Sequence, residues 1–129
     1  MVVDTSALLA VLQGEPEAGA FVEALQSADC PSMSVGTFIE TAIVIESRFG
    51  AEGIRDLDLF LHKAGIELVA CDAEQAHAAR QAYRQYGKGR HPAGLNFGDC
   101  FAYALAAARG EPLLHKGEDF ARTDIGRVG

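Results

Sequence analysis

Short, largely apolar stretches alternate with longer amphipathic ones along the whole chain, and that rhythm limits the possible folds more than any other feature. Residues 1–4, 30–33, 66–70, 112–115 and 125–128 read as strands. Between them, apolar residues at three-four spacing predict helices over 6–13, 16–28, 34–49, 51–64, 73–86 and 97–109. Short apolar strands separated by helices belong to a parallel sheet buried under helices on both faces. The chain therefore reads as α/β, with three layers in α/β/α order around a small, mostly parallel central sheet.

Local signals fix the boundaries. Gly14, Gly50, Gly65, Gly87 and Gly110 each follow a helical segment, where a left-handed cap residue is expected. Pro16 suits a first helical position, and Asp72 with Gln75 has the pattern of a capping box. Val35, Phe38, Ile39, Ala42 and Ile43 mark the expected core face of one helix. Phe97, Cys100, Phe101, Ala104, Leu105 and Ala108 mark that of another.

A length of 129 residues predicts one domain over 1–129, and a hydrophobic content of 49% is enough for one core. No run reaches the roughly 18 uninterrupted apolar residues of a membrane span. No basic region precedes the first apolar run, so no signal peptide is expected. Cys30, Cys71 and Cys100 are odd in number and form no CxxC pair, and the four histidines lack zinc-ligand spacing. They read as reduced, small core residues of a cytoplasmic protein. The net charge of −7 argues against nucleic-acid binding. Its distribution softens that objection. No acid lies between Glu74 and Asp99, whereas Arg80, Arg84, Lys88 and Arg90 do, with His91 beside them. A solvated helix face and a phosphate-contact surface both fit this stretch.

Four acids stand where a parallel sheet gathers its strand ends and helix starts: Asp4, Glu40, Asp99 and Asp119. Crowded carboxylates repel one another unless a cation neutralises them, which points to Mg²⁺ or Mn²⁺ and to phosphate-ester chemistry. Each acid has a plainer alternative. Asp4 is equally good as the N-cap of the helix that follows, with Thr5 and Ser6 as supporting hydroxyls. Glu40 lies among small and apolar three-four neighbours, so a salt bridge to Arg48 would explain it, while Glu46 reads as structural. Asn96 and Asp99 form a capping-box pattern. Asp119 adjoins Glu118 and lies near Asp124, either of which could share its role.

These residues make the chain resemble the PIN-domain ribonucleases of the VapC toxin type, over nearly its whole length. The specific pieces are Val3-Asp4-Thr5-Ser6-Ala7-Leu8, Asn96-Phe97-Gly98-Asp99-Cys100, and Lys116-Gly117-Glu118-Asp119-Phe120 with Thr123-Asp124-Ile125; residues 34–49 match the segment bearing the second acid. The resemblance implies a PIN-like fold and makes Asp4, Glu40, Asp99 and Asp119 catalytic metal ligands, with Thr5, Ser6 and Asn96 as accessory polar groups. It implies a Mg²⁺- or Mn²⁺-dependent endoribonuclease, homodimeric, acting on RNA and neutralised by a cognate VapB-type antitoxin. Arg80, Arg84, Lys88 and Arg90 are the expected RNA contacts.

Other readings remain open on sequence. A housekeeping PIN nuclease that processes RNA would share every one of these residues. A haloacid-dehalogenase-like phosphatase is disfavoured, because Ser6 stands where a second Asp is required. A phosphoacceptor signalling domain built on Asp4, Asp72 and Lys116 leaves Glu40, Asp99 and Asp119 unexplained, and a non-catalytic scaffold leaves all four acids without a role.

Overall fold

The computed structural model describes residues 1–128. Its elements run β1 (Val2–Val3), α1 (Thr5–Leu12), α2 (Ala18–Ser27), β2 (Ser32–Ser34), α3 (Val35–Ala64), β3 (Glu67–Val69), α4 (Ala73–Tyr86), α5 (Phe97–Arg109) and β4 (Leu113–Leu114). A short 3₁₀ turn, Phe120–Arg122, follows. All pairings in the sheet are parallel, in the order β3-β2-β1-β4.

Residue alternation on β1 and β4 generates the layers. Val2 and Leu113 face one core cluster, filled by Ala82 and Tyr86 of α4 and by Tyr103, Leu105 and Ala106 of α5. Val3 and Leu114 face the other, filled by Ala7, Leu8, Leu25, Leu57 and Leu61 from α1 to α3. Both sheet faces are therefore covered, as the apolar strands require. Among the described residues, no helix is long and apolar enough to cross a membrane.

The topology also chooses where a site can form. From β1 the chain crosses to β2 on one side, whereas β4 returns to pair with β1 on the other. The order reverses between β1 and β4, and crevices form outside the strand C-termini at such a switch point. Asp4 follows β1, and the segment bearing Asp119 follows β4.

Several local expectations need correction. Residues 125–128 form no strand of their own; Arg127 makes a single parallel bridge to Leu113. The two helices expected over 34–64 abut within α3, where Gly50 alone leaves helical geometry at φ 65°. Gly87 is extended rather than left-handed, because the chain leaves α4 to bridge Leu95. Pro16 lies in the turn before α2 rather than inside the helix. Asp72 caps α4 through the Gln75 N–H.

The core face of α3, and in part that of α5, is rotated from the expected one. Ile39 is 55% exposed, Ile43 60% and Phe97 78%, and Ala108 is also exposed. Thr37, Thr41 and Ile45 of α3 turn inward instead, while on α5 the expected Cys100, Ala104 and Leu105 are buried as foreseen and Ala102 and Tyr103 join them. Of the three free cysteines only Cys100 is a core residue, since Cys30 is exposed and Cys71 half-buried.

Candidate active site

Asp4 is both cap and buried carboxylate, and its two oxygens divide the roles. Oδ2 accepts the Ser6 backbone N–H at 3.0 Å and the Ser6 hydroxyl at 2.7 Å, closing the first turn of α1. Oδ1 is buried without a partner. The Ser6 oxygen in turn accepts the Lys116 N–H at 2.9 Å, so one hydroxyl links the end of β1 to the segment after β4.

Asp99 repeats the pattern at the start of α5. Its backbone N–H donates to Asn96 Oδ1 at 2.9 Å, and its Oδ2 accepts the Asn96 N–H at 3.0 Å. This is a complete capping box. Among the described residues the other Asp99 oxygen accepts no hydrogen bond, so capping leaves one oxygen of each carboxylate open.

Glu40 is held by α1. The Thr5 hydroxyl donates to Glu40 Oε1 at 2.6 Å, while the buried Thr41 hydroxyl lies 3.0 Å from the Thr5 oxygen. Arg48 does not pair with Glu40; it donates to Gln13 instead. Gly98 makes room for the carboxylate. A Cβ at position 98 would collide with Glu40 Oε2. Glu46 is exposed.

The acids converge electrostatically. Burial raises the Asp99 carboxyl to about 7, with the charges of Asp4, Asp119 and Glu40 adding to the effect and the Asn96 N–H opposing it. Burial likewise raises Asp4 to about 6, with Ser6 opposing and Glu40 reinforcing. Among the described residues, no ion pair involves any of the four. Lys116, three residues before Asp119, is turned away towards Glu15 and Glu17 at 2.8 and 3.3 Å.

These features fit a hard divalent cation. The donors are carboxylate oxygens, one is buried and unpartnered, and the local excess of negative charge lacks a basic side chain to offset it. The side chains do not stand as a closed shell; among the described residues, no group of three or more His, Cys, Asp or Glu is already poised around a metal position.

Of the neighbouring acids, Asp119 is exposed, as is Glu118. Asp124 is engaged elsewhere, accepting the Tyr103 hydroxyl at 2.6 Å. Of the basic candidates, Arg80 and Lys88 line a cleft of about 550 Å³ with Tyr83, Asn96 and Phe97. Arg84 and Arg90 are exposed outside it. Sequence reading gave no role to Gly98 or Thr41. A glycine in the first turn of a helix was the available signal for Gly98. Thr41 had none, because its contact depends on how α1 and α3 pack.

The family model described as PIN domain matches residues 1–126. A VapC ribonuclease of Mycobacterium bovis is 59% identical over 128 residues, covering 99% of this chain and 98% of that protein. A ribonuclease VapC of Mycolicibacterium smegmatis is also 59% identical, covering 99% of both. Among solved structures, the sarcin-ricin loop cleaving toxin VapC20 of Mycobacterium tuberculosis superposes with TM-score 0.79 at 17% identity, over 98% of this chain and 97% of that one. The DNA-bound VapBC2 complex of Rickettsia felis gives TM-score 0.73 at 16% identity, over 99% and 96%. At such identities the last two speak for the fold alone.

Proposed function

The chain belongs to the PIN-domain family, among its VapC ribonucleases, and from that premise we propose that it is a toxin endoribonuclease whose site is built on Asp4, Glu40, Asp99 and Asp119. One observation carries the residue assignment. The charges of Asp4, Glu40 and Asp119 all reach Asp99 at the sheet's switch point, with no cation of the protein paired to any of the four among the described residues.

Asp4 through Oδ1, Asp99, Asp119 and Glu40 would hold Mg²⁺ or Mn²⁺. Such an ion, when bound, polarises the scissile phosphate and lowers the pKa of a water. The protein supplies the geometry. Ser6 fixes Asp4, Asn96 fixes Asp99 and Thr5 fixes Glu40, each by a hydrogen bond that keeps the carboxylate from turning away. Asp4 and Asp99 must lose protons before they can act as donors, and their raised pKa values place that loss near neutrality. Attack by water leaves a 5′-phosphate and a 3′-hydroxyl, with no protein nucleophile. Single-stranded RNA loops fit best, their backbones being accessible. Arg80 and Lys88 are the leading backbone contacts, with Arg84 and Arg90 at the margin.

The proposed partners follow. A cognate VapB-type antitoxin neutralises the toxin, and a net charge of −7 suits an antitoxin with a basic segment. A second copy is proposed to cover the apolar strip of Ile39, Ile43 and Phe97. The chain acts as one domain over 1–129, and its free thiols suit the cytoplasm.

Mapping of RNA 5′ ends after brief induction tests this reading. Wild type should generate new 5′-phosphate ends and arrest growth, and Asp99→Asn should do neither. Equal cleavage by that variant would remove Asp99 from the mechanism.

A further inference from the structure

Asp119 lacks the backbone cap that fixes Asp4 and Asp99. It opens the 3₁₀ turn without a capping side-chain bond, and it is exposed. What holds its segment is therefore a separate question. Phe120 is buried and meets the His115 ring edge-on at 5.1 Å. The Thr123 hydroxyl donates to the Phe120 carbonyl at 2.7 Å, and the Ile125 N–H donates to the Thr123 oxygen at 3.2 Å. Phe120 and Ile125 also pack in the core cluster that α5 lines, but none of these contacts is a hydrogen bond to α5.

One such bond exists. The Tyr103 hydroxyl donates to Asp124 Oδ1 at 2.6 Å, across 21 residues of sequence. Among the described residues, it is the one hydrogen bond between α5 and the segment 117–128. Tyr103 follows Asp99 by one helical turn and shares its face. Its ring is fixed by burial and by Tyr86 at 5.8 Å, which itself meets His91 at 5.1 Å. A bond this short to a carboxylate is among the stronger kinds, and a phenol buried without it would be left unsatisfied.

We infer that Tyr103 and Asp124 are positioning residues: their bond sets the place of Asp119 relative to Asp99, and so the geometry of the divalent-cation site. The inference rests on the four-acid reading above. Neither residue needs to touch substrate or ion. Asp124, a candidate ligand by sequence, instead acts through the segment that carries Asp119.

The experiment is a double-mutant cycle on the full chain, with Mn²⁺ binding measured by calorimetry and Mn²⁺-dependent RNA cleavage measured alongside. Tyr103→Phe and Asp124→Ala should each weaken Mn²⁺ binding about tenfold, the scale at which supporting hydrogen bonds act on metal sites. Cleavage should recover at saturating Mn²⁺. The double variant should be no worse than the worse single variant, and Asp124→Asn, which keeps an acceptor oxygen, should stay near wild type. Ile66→Val, in the opposite core cluster, controls for general loosening. Unchanged Mn²⁺ affinity in Tyr103→Phe and Asp124→Ala overturns the inference. So does an equal loss in Ile66→Val, or a failure of Asp124→Asn to rescue. A wild-type chain that neither binds Mn²⁺ nor cuts RNA overturns the four-acid reading itself, and this inference with it.

Discussion

Asp4 and Asp99 are fixed by the backbone, Asp119 by side chains. The first two stand at helix starts, where the N–H groups of the first turn need an acceptor anyway. One carboxylate oxygen serves the cap and the other is left for the site. Asp119 follows a two-residue strand on an exposed segment, held by a buried Phe120, the Thr123 hydroxyl and the Tyr103–Asp124 bond. The difference teaches that capping and ligation are not rival explanations of an acid at a helix start. On the proposed assignment, capping would hold such an acid as a rigid ligand, and an acid without a cap would need a tether of its own.

The largest effects should come from the acids themselves. Asp4→Asn and Asp99→Asn each keep an oxygen that can accept the cap bonds, so the helices should persist while cleavage falls on the order of a thousandfold. In metal-free buffer at pH 8 these two variants should melt above wild type, because each removes a buried charge that the fold disfavours. Asp119→Asn should abolish cleavage without that gain, since its carboxylate is exposed. Equal melting shifts for all three would erase the contrast between capped and tethered acids.

A smaller loss is expected from crowding Glu40. Gly98→Ala would drive a methyl group into the Glu40 carboxylate and force it off its Thr5 partner. Cleavage should fall roughly ten- to a hundredfold, the range for a disturbed supporting shell. Gly36→Ala also meets a side chain, the Phe101 ring, but away from the acids. It should lower the melting temperature more than the catalytic rate. If both variants lose activity in proportion to stability, the tight fit at Gly98 has no special bearing on the site.

Proton linkage gives the next effect in size. The ordinary carboxylate value is 3.8, and the fold raises Asp4 to about 6 and Asp99 to about 7. Between those limits the native state binds more protons than the unfolded chain, so metal-free stability should fall as pH rises from about 4 to about 7. Saturating Mn²⁺ should flatten that fall, because it favours the deprotonated native state. Thermal melts across pH, with Mn²⁺ or with chelator, check this. A flat metal-free profile would mean that the two carboxyls titrate normally.

The same contrast explains how much was legible in the sequence. The α/β alternation, the strand-end acids and both caps are local patterns, and all appear in the structure close to where the chain places them. The inward face of α3 and part of that of α5 were misjudged because three-four spacing cannot tell a core stripe from an apolar surface strip: Ile39, Ile43 and Phe97 satisfy the period yet face outward. The last expected strand fails because Gly126 and Arg127 make one bridge where a ladder needs several. Side-chain tethers were the hardest to foresee. Tyr103 carries no signal of its own and Asp124 reads as a spare acid beside Asp119; only the return of the chain beside β1 brings the two together.

The mildest effect should separate the basic residues. Arg80 and Arg84 are both exposed, one turn apart on the same helix, but only Arg80 lines the cleft with Asn96. If Arg80 contacts the RNA backbone, Arg80→Ala should raise KM a few-fold and leave kcat unchanged. It should also reduce the slope of log affinity against log salt by about 0.7, the value for one phosphate of a single strand. Arg84→Ala should change neither quantity appreciably. Equal losses in the two variants would mean that RNA senses the whole helix as a diffuse positive field, with the cleft serving some other contact. A change confined to kcat in Arg80→Ala would instead place its guanidinium at the scissile phosphate and bring α4 into the same site as the capped acids.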